Sequence, residues 1–279
     1  MKKLFASMSG GLTSAYITNQ IMKHVQGDYD IEVVFANTGQ EREATLEFVH
    51  RCDQEWDWQV VWVEADVIPE KGVPTTFKLV DFETASRNGE PFEAMIEKYG
   101  IPNMDWPHCT RELKLRPMEA YIKSLGWTDH LTAVGIRMDE LRRVSKSAAE
   151  RGIVYPLVDW FPADKGDVND WWDAQAFTLG LEEHQGNCTW CWKKTFSKHA
   201  KIYRETPQVF DFPARMEALH RHTGHRGVKD PRVFFRKHQS TADLIRTIEL
   251  VGDAPMRPVN RDENSGCSES CDVYTSETD

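Results

Sequence analysis

Long apolar runs are missing from this chain of 279 residues. Without a stretch of about 18 apolar residues, a transmembrane helix of ordinary length is excluded. The opening Met1-Lys2-Lys3-Leu4-Phe5-Ala6 is charged, and the apolar part that follows is too short for a secretory signal. A cytoplasmic protein that meets no membrane is therefore expected. Internal repeats and low-complexity tracts are lacking as well. So is a surplus of positive charge: 34 Lys and Arg face 44 Asp and Glu, a net of −10, which argues against a general nucleic-acid binder.

What is present is ordinary for a globular protein, with 40% apolar and 28% charged residues. Such a chain can bury a core without disulfide staples. Its length suggests one α/β domain of about 200 residues plus an appendage. The charge is unevenly placed. Between Cys191 and His238, 12 Lys and Arg stand against 4 acidic residues, and 5 of the 10 histidines fall there: His199, His220, His222, His225 and His238. Such a patch serves an anionic ligand or is simply a solvated face. Six cysteines complete the inventory: Cys52, Cys109, Cys188, Cys191, Cys267 and Cys271. In a reducing compartment, clustered cysteines more often hold metal or do redox chemistry than form structural disulfides.

Strand and helix patterns alternate over roughly the first 135 residues. Strand-like runs at Lys3–Met8, Ile31–Ala36, Val60–Val63 and His130–Val134 end at Ser9-Gly10-Gly11, Asn37-Thr38-Gly39, Glu64 and Gly135. Helical spacing follows the first, with Leu12, Tyr16, Ile17, Ile21 and Val25 on one face. Leu46, Val49, Cys52 and Trp56 follow the second, so Cys52 reads as a core thiol. Residues 65–90 read as irregular. Further helices are expected at Phe92–Tyr99, Arg111–Leu125 (Met118, Tyr121, Ile122 and Leu125 inward), Asp167–Phe177, Lys193–Arg204, Arg215–His222 and Thr241–Val251. The alternation predicts a doubly wound, mostly parallel α/β sheet with ligands beyond the carboxyl ends of its strands, followed by a helical C-terminal appendage. The expected division is a nucleotide-binding domain over 1–190, a basic helical appendage over 191–255 and an acidic, cysteine-bearing tail over 256–279.

Ser9-Gly10-Gly11-Leu12-Thr13-Ser14 lies between the first strand and the first helix. Glycines permit a tight turn and close approach of the backbone to a ligand, and a helix start favours an anion. This chemistry suits phosphate, although the lysine of a Walker loop is absent. A plain strand-to-helix turn is the alternative.

Several segments in order carry a family resemblance. SGGLTS resembles the SGG-x-[DT]-S loop of the PP-loop adenine-nucleotide α-hydrolases. Phe35-Ala36-Asn37-Thr38-Gly39-Gln40-Glu41 resembles F-x-N-T-G-x-E, and Cys109-Thr110-Arg111-Glu112-Leu113-Lys114-Leu115-Arg116-Pro117 resembles C-T-x-x-L-K-x-x-P. Gly135-Ile136-Arg137-Met138-Asp139-Glu140, with Arg142 and Arg143, resembles G-I-R-x-D-E-x-x-R. Tyr155-Pro156-Leu157, followed by Asp167-Val168, resembles a later P-L…D-V element. Together, over about residues 4–194, they are similar to the phosphoadenosine phosphosulfate (PAPS) reductase-like family. The resemblance implies an adenine-nucleotide site: Ser9, Gly10, Gly11, Thr13 and Ser14 on phosphate, Thr38 and Gly39 near the adenosine, and Lys114, Gly135 and Arg137 completing the anion site, with Lys114 and Arg137 the catalytic candidates. Lys114 as a solvated charge and Arg137 as a structural partner of Asp139 or Glu140 stay open beside that reading.

The cysteines suggest a metal centre. Cys188 and Cys191 form a C-x-x-C, Cys267 and Cys271 a C-x-x-x-C, and Cys109 is a further candidate ligand. Four thiolates suit Zn²⁺ or an iron–sulfur cluster. In cluster-bearing sulfonucleotide reductases the ligands fall in the places of Cys109, Cys188 and Cys191, but here His108 stands where a tandem cysteine would be. The E-C-G-x-H motif of thioredoxin-coupled PAPS reductases is absent, and Gly266-Cys267-Ser268-Glu269 offers no following histidine to activate a thiol. The expectation is therefore an enzyme using ATP with Mg²⁺ to adenylate a substrate, with a nucleobase of tRNA or DNA as a candidate acceptor for sulfur transfer. The basic segment 191–238, with Trp190 and Trp192 beside it, would contact the nucleic acid. A PAPS reductase making sulfite and a non-catalytic nucleotide-binding module are the alternatives, and homo-oligomers are compatible with each.

Overall fold

The protein is described here from a computed structural model, over residues 1–224 and 231–252. Cys267, Cys271 and the rest of the tail lie outside the described residues, as does His225. Six strands form one sheet: β1 (Lys2–Met8), β2 (Tyr29–Asn37), β3 (Val61–Asp66), β4 (Thr76–Val80), β5 (Leu131–Ala133) and β6 (Ile153–Val154). Their spatial order is β4-β3-β2-β1-β5-β6. All neighbours are parallel except β3 and β4, which pair antiparallel from Trp62–Val80 to Asp66–Thr76. The sheet is thus α/β and mostly parallel, as expected.

Period-two alternation explains why the sheet is covered on both faces. Leu4, Ala6 and Met8 of β1 and Val33 and Phe35 of β2 enter one core with α1 (Leu12–His24) and α2 (Glu43–Trp56). Phe5, Val34 and Ala36 point the other way, into a core with Met118, Tyr121 and Ile122 of α4 (Arg116–Ser124). Cys52 is fully buried in the first core, where desolvation pushes its thiol pKa up. α5 (Pro156–Asp159) and α6 (Lys165–Asp173) complete that face, and the Trp172 indole of α6 donates to Leu12 O at 2.9 Å, pinning the start of α1.

A further core joins α3 (Glu90–Tyr99) to α7 (Phe196–Glu205), α8 (Asp211–His220) and α9 (Thr241–Val251). It contains Phe92, Met95, Ile96, Trp190, Trp192, Phe210, Phe234 and Leu244. α7 starts where Thr195 accepts from the Lys198 N–H. No helix among the described residues is long and apolar enough to cross a membrane.

Some expectations needed correction. The region expected to be irregular contains β4, whose Lys78 and Leu79 are exposed, so it carries little apolar signal. Leu125, expected inward, is 41% exposed, because α4 ends at Ser124 and the chain turns. The helix expected over 111–125 is wound in two ways: Arg111–Leu115 makes a wider π-helical turn before the regular α4. Helices also begin and end a few residues from the expected limits at 165–173, 196–205 and 211–220.

Candidate active site

The strand order places a crevice between β1 and β5. From β1 the chain steps outward through β2 and β3, then returns to lay β5 on the other side of β1. Ligands of open α/β sheets bind at such a switch point, beyond the carboxyl ends of the strands. Ser9-Gly10-Gly11 follows β1 there, and Gly135-Ile136-Arg137 follows β5.

Gly10 adopts φ +79°, and a Cβ in its place would lie 2.6 Å from Thr45 Cγ2 and 3.2 Å from the Phe35 ring. Only glycine satisfies both demands. Ser14 fastens the loop: its hydroxyl accepts from the Ser9 N–H at 3.1 Å and donates to Gly11 O at 2.9 Å. The loop faces a cavity of about 190 Å³, whose other walls include Glu41, Thr45, Lys165, Leu179, Glu182, Glu183 and Asn187.

Arg137 closes the crevice from the β5 side. It is 4% exposed. One Nη donates to Thr13 Oγ1 at 3.1 Å, while Nε and the other Nη meet the two Asp139 oxygens at 3.0 and 3.1 Å. Hydrogen bonding to Arg137 and its positive charge outweigh partial desolvation and lower the Asp139 pKa. Arg137 thus has the structural partner considered from sequence, and it also reaches Thr13 of the glycine loop. Gly135 packs closely under α1, since a Cβ there would lie 3.3 Å from Ile17 Cδ1.

The end of β2 builds the second part. Asn37 Nδ2 donates to Glu64 Oε1 at 2.6 Å and to Ser86 O at 2.8 Å, and Asn37 Oδ1 accepts from the Gly39 N–H at 3.1 Å. Glu64 is fully buried and also pairs with Lys78 at 2.8 Å. Gly39, at φ +75°, runs past Gly89 with only 3.0 Å for a Cβ. Thr38 gives its N–H to Glu41 Oε2 at 2.9 Å, and its hydroxyl meets the same carboxylate at 2.8 Å. Lys114, on the π-helical turn, reaches Glu41 at 3.6 Å; both side chains are buried. Wider turns of this kind often sit at functional sites.

The C-x-x-C docks directly on the turn that follows β2. The Thr189 N–H and hydroxyl both donate to Gln40 O at 2.9 Å, and the Trp190 indole donates to Gln40 Oε1. Cys188 Sγ lies 3.5 Å from Thr38 Oγ1. Lys194, 3% exposed, braces the loop by donating to Cys188 O and Thr189 O at 3.0 Å. Cys109, Cys188 and Cys191 line one small chamber of about 20 Å³, with Thr38, Lys114 and Lys193 also in its wall. No disulfide joins the described cysteines.

The sequence candidates therefore separate into two adjoining chambers. Ser9, Gly10 and Gly11 line the first, Ser14 bonds to Ser9 and Arg137 to Thr13, while Gly135 packs on Ile17 and Gly39 on Gly89, outside both linings. Cys109, Cys188, Cys191, Thr38 and Lys114 line the second. Glu41, which lines the first and bonds to Thr38 and Lys114 of the second, connects them. Sequence reasoning quoted Glu41 within a motif but gave it no role, and missed Lys165, Glu182, Glu183 and Asn187. Lys165 opens α6, and Glu182, Glu183 and Asn187 lie between α6 and α7, with no motif to mark them.

The three described thiols line one chamber without closing on a single ion. A single tetrahedral zinc with bonds of about 2.3 Å holds its sulfurs about 3.8 Å apart. Among the described residues, Cys109, Cys188 and Cys191 are not gathered within 4.8 Å of one another. Cys109, Cys188 and Cys191 are donors of the kind that hold Zn²⁺ or an iron–sulfur cluster.

The basic segment is largely engaged within the protein. Lys198 pairs with Glu183 at 3.1 Å, Lys201 with Glu182, and Arg215 with Glu93 at 2.8 Å; Arg236 donates to Lys193 O. Trp190 and Trp192 are buried, so they pack the core and present no open face for stacking on a base.

No protein-family model matches the chain. It is 30% identical over 283 residues to the uncharacterized nin region protein ORF290 of Escherichia phage lambda, covering 98% of this chain and 96% of that protein. Two uncharacterized proteins of Methanocaldococcus jannaschii are 26% and 27% identical over 216 and 226 residues. These matches cover 74% and 75% of this chain but 45% and 40% of those proteins, so the chain spans under half their length. Among solved structures, the phosphate complex of phosphoadenylyl-sulfate (PAPS) reductase from Candida auris matches with a TM-score of 0.37 and 18% identity, covering 62% of this chain and 72% of that one.

Proposed function

Since this chain belongs to the same family as the phage lambda nin region protein ORF290, we propose a function for it from its own residues: it is an adenine-nucleotide enzyme that uses ATP with Mg²⁺ to adenylate an acceptor, beside a cysteine centre that serves sulfur transfer. The observation that carries this reading is the composition of the larger chamber. The Ser9-Gly10-Gly11 loop forms one wall, and the carboxylates Glu41, Glu182 and Glu183 stand in the others. Lys165 shares these walls and each carboxylate is paired with a lysine, so an anion is not barred, and the carboxylate oxygens beside the loop suit one that brings a divalent cation. A nucleotide that carries a divalent cation is suited to both walls, which favours ATP over PAPS.

In this reading the loop N–H groups and the Ser9 and Thr13 hydroxyls hold the phosphates, and Arg137 fixes the orientation of Thr13. Glu41 and its neighbours would hold Mg²⁺, which when bound neutralises phosphate charge. An acceptor oxygen attacks the α-phosphorus, the bond to the bridging oxygen of the β-phosphate breaks, and pyrophosphate leaves with that electron pair. Lys114, bonded to Glu41 from the cysteine chamber, would stabilise developing charge. Cys109, Cys188 and Cys191 would hold an iron–sulfur cluster, whose chemistry when bound is sulfur or electron transfer. A nucleobase of tRNA or DNA is the acceptor we propose, in a cytoplasmic setting.

The test is direct. Anaerobically purified protein is incubated with ATP, Mg²⁺ and tRNA or DNA, and released pyrophosphate is counted. Pyrophosphate formation that depends on the nucleic acid and is lost in Lys114→Ala supports the proposal. Turnover of PAPS to sulfite without ATP use would overturn it.

A further inference from the structure

We propose that Glu93, Glu97 and His220 form a binding site for one divalent transition-metal ion, which ties α8 to α3. It is separate from both chambers and does not depend on the proposed function.

Glu93 and Glu97 are four residues apart on α3 and so share one face of the helix. His220 is the last residue of α8. The two helices pack through Phe92 and Phe212, with ring centroids 5.9 Å apart, and through the Arg215–Glu93 pair. Across this seam, one ligand atom from each of Glu93, Glu97 and His220 lies within 4.8 Å of the others. Bonds of about 2.0–2.2 Å bring such donors roughly 3–3.5 Å apart, a closure that side-chain rotation supplies.

A second observation points the same way. The Nε2 atom of His220 is shielded from solvent and has no hydrogen-bond partner. A buried polar atom left this way is unfavourable, and an ion supplies the missing partner. One imidazole and two carboxylates select the transition series over Mg²⁺ or Ca²⁺, which prefer oxygen alone. The competitor is Arg215, whose Nη1 bonds both Glu93 oxygens at 2.8 and 3.0 Å. Arg215 balances the carboxylate charge when the ion is away, so the ion must share Glu93 with it and binds reversibly rather than permanently. The consequence reaches the cysteines: Phe92, next to Glu93, is part of the wall of their chamber.

Mn²⁺ is the probe that separates this site from the cysteines, because it prefers carboxylate over thiolate. Full-length protein without nucleotide is titrated with Mn²⁺, and the six-line spectrum of the free ion is followed by electron paramagnetic resonance. One saturable equivalent is expected, weakened at least about tenfold in His220→Ala and in Glu97→Gln and unchanged in His222→Ala. Mn²⁺ should also raise the Tm of the wild type more than that of Glu97→Gln. Glu97 is exposed, so Glu97→Gln decides the question if His220→Ala fails to fold. No saturable binding at millimolar Mn²⁺, or equal affinity in wild type and Glu97→Gln, would overturn the proposal.

Discussion

The guanidinium of Arg137 lies 3.1 Å from the hydroxyl of Thr13, and this contact joins the end of β5 to the first turn of α1 across the sheet's switch point. Asp139 holds the other edge of the same guanidinium, so the group is fixed in position before any ligand arrives. Preorganised donors act without reorganisation.

Arg137→Ala should therefore weaken binding of ATP with Mg²⁺ by about tenfold or more, the loss of one charge-assisted hydrogen-bond network. Arg137→Lys should recover little, because an ammonium cannot bridge Thr13 and Asp139 as a planar fork does. Calorimetric titration of both variants checks this. Equal affinity in wild type and Arg137→Ala would remove Arg137 from the site.

Gly10→Ala should destabilise the fold more than Gly72→Ala. Both positions have positive φ, +79° and +83°, and share a conformational penalty of about 1–2 kcal/mol. Only Gly10 adds a clash, with Thr45 Cγ2 at 2.6 Å, whereas nothing lies within 4 Å of a Cβ at Gly72. Overpacking of that kind contributes about 1–3 kcal/mol more. Urea midpoints of the two variants measure the difference.

Acid should unfold the protein in part through His199. Its ring is buried between Phe210 and Phe235, and neither nitrogen has a hydrogen-bond partner. Desolvation first, then the charges of Lys194 and Arg236, lower its pKa to about 3. The unfolded chain binds this proton near pH 6.5, so the folded state loses stability as pH falls from about 6.5 towards 3 and gains none above. His199→Leu should flatten that part of the stability–pH curve while leaving neutral stability within roughly 1 kcal/mol, since an orphaned polar ring gives way to an apolar side chain. An unchanged difference between wild type and variant from pH 7 to pH 4 would contradict this.

Cysteine variants should sort by chamber. Anaerobically purified wild type is expected to carry iron with visible absorption, and Cys109→Ser, Cys188→Ser and Cys191→Ser should each lose most of it. Cys52→Ala should keep it, because Cys52 lies in the first core and faces no chamber. Metal analysis and absorption spectra decide. A colourless protein with one zinc would replace the cluster by a rearranged thiolate site.

The parallel part of the sheet was legible because β1, β2 and β5 are bounded by Ser9-Gly10-Gly11, Asn37-Thr38-Gly39 and Gly135, where the physics of turning after a strand leaves a residue signature. β4 was not, since an edge strand with Lys78 and Leu79 in solvent needs no apolar alternation. The π-helical turn was hidden because Arg111–Leu115 has ordinary helical spacing, which also gives no sign that Glu112 is buried against Thr75 at 2.6 Å and Arg116 at 3.1 Å. At the site, glycines and cysteines announced themselves through restricted chemistry. Glu182 and Glu183 did not, because carboxylates in a loop look alike whether they face solvent or a cavity wall.

Glu41 belongs to both chambers, bonded to Thr38 and Lys114 on one side and facing the phosphate-type loop on the other. Its two oxygens serve Thr38, whose hydroxyl touches Cys188, and Lys114, and they also face the space of the larger chamber. Whatever an occupant of one compartment does to affinity in the other, the second must return to the same degree.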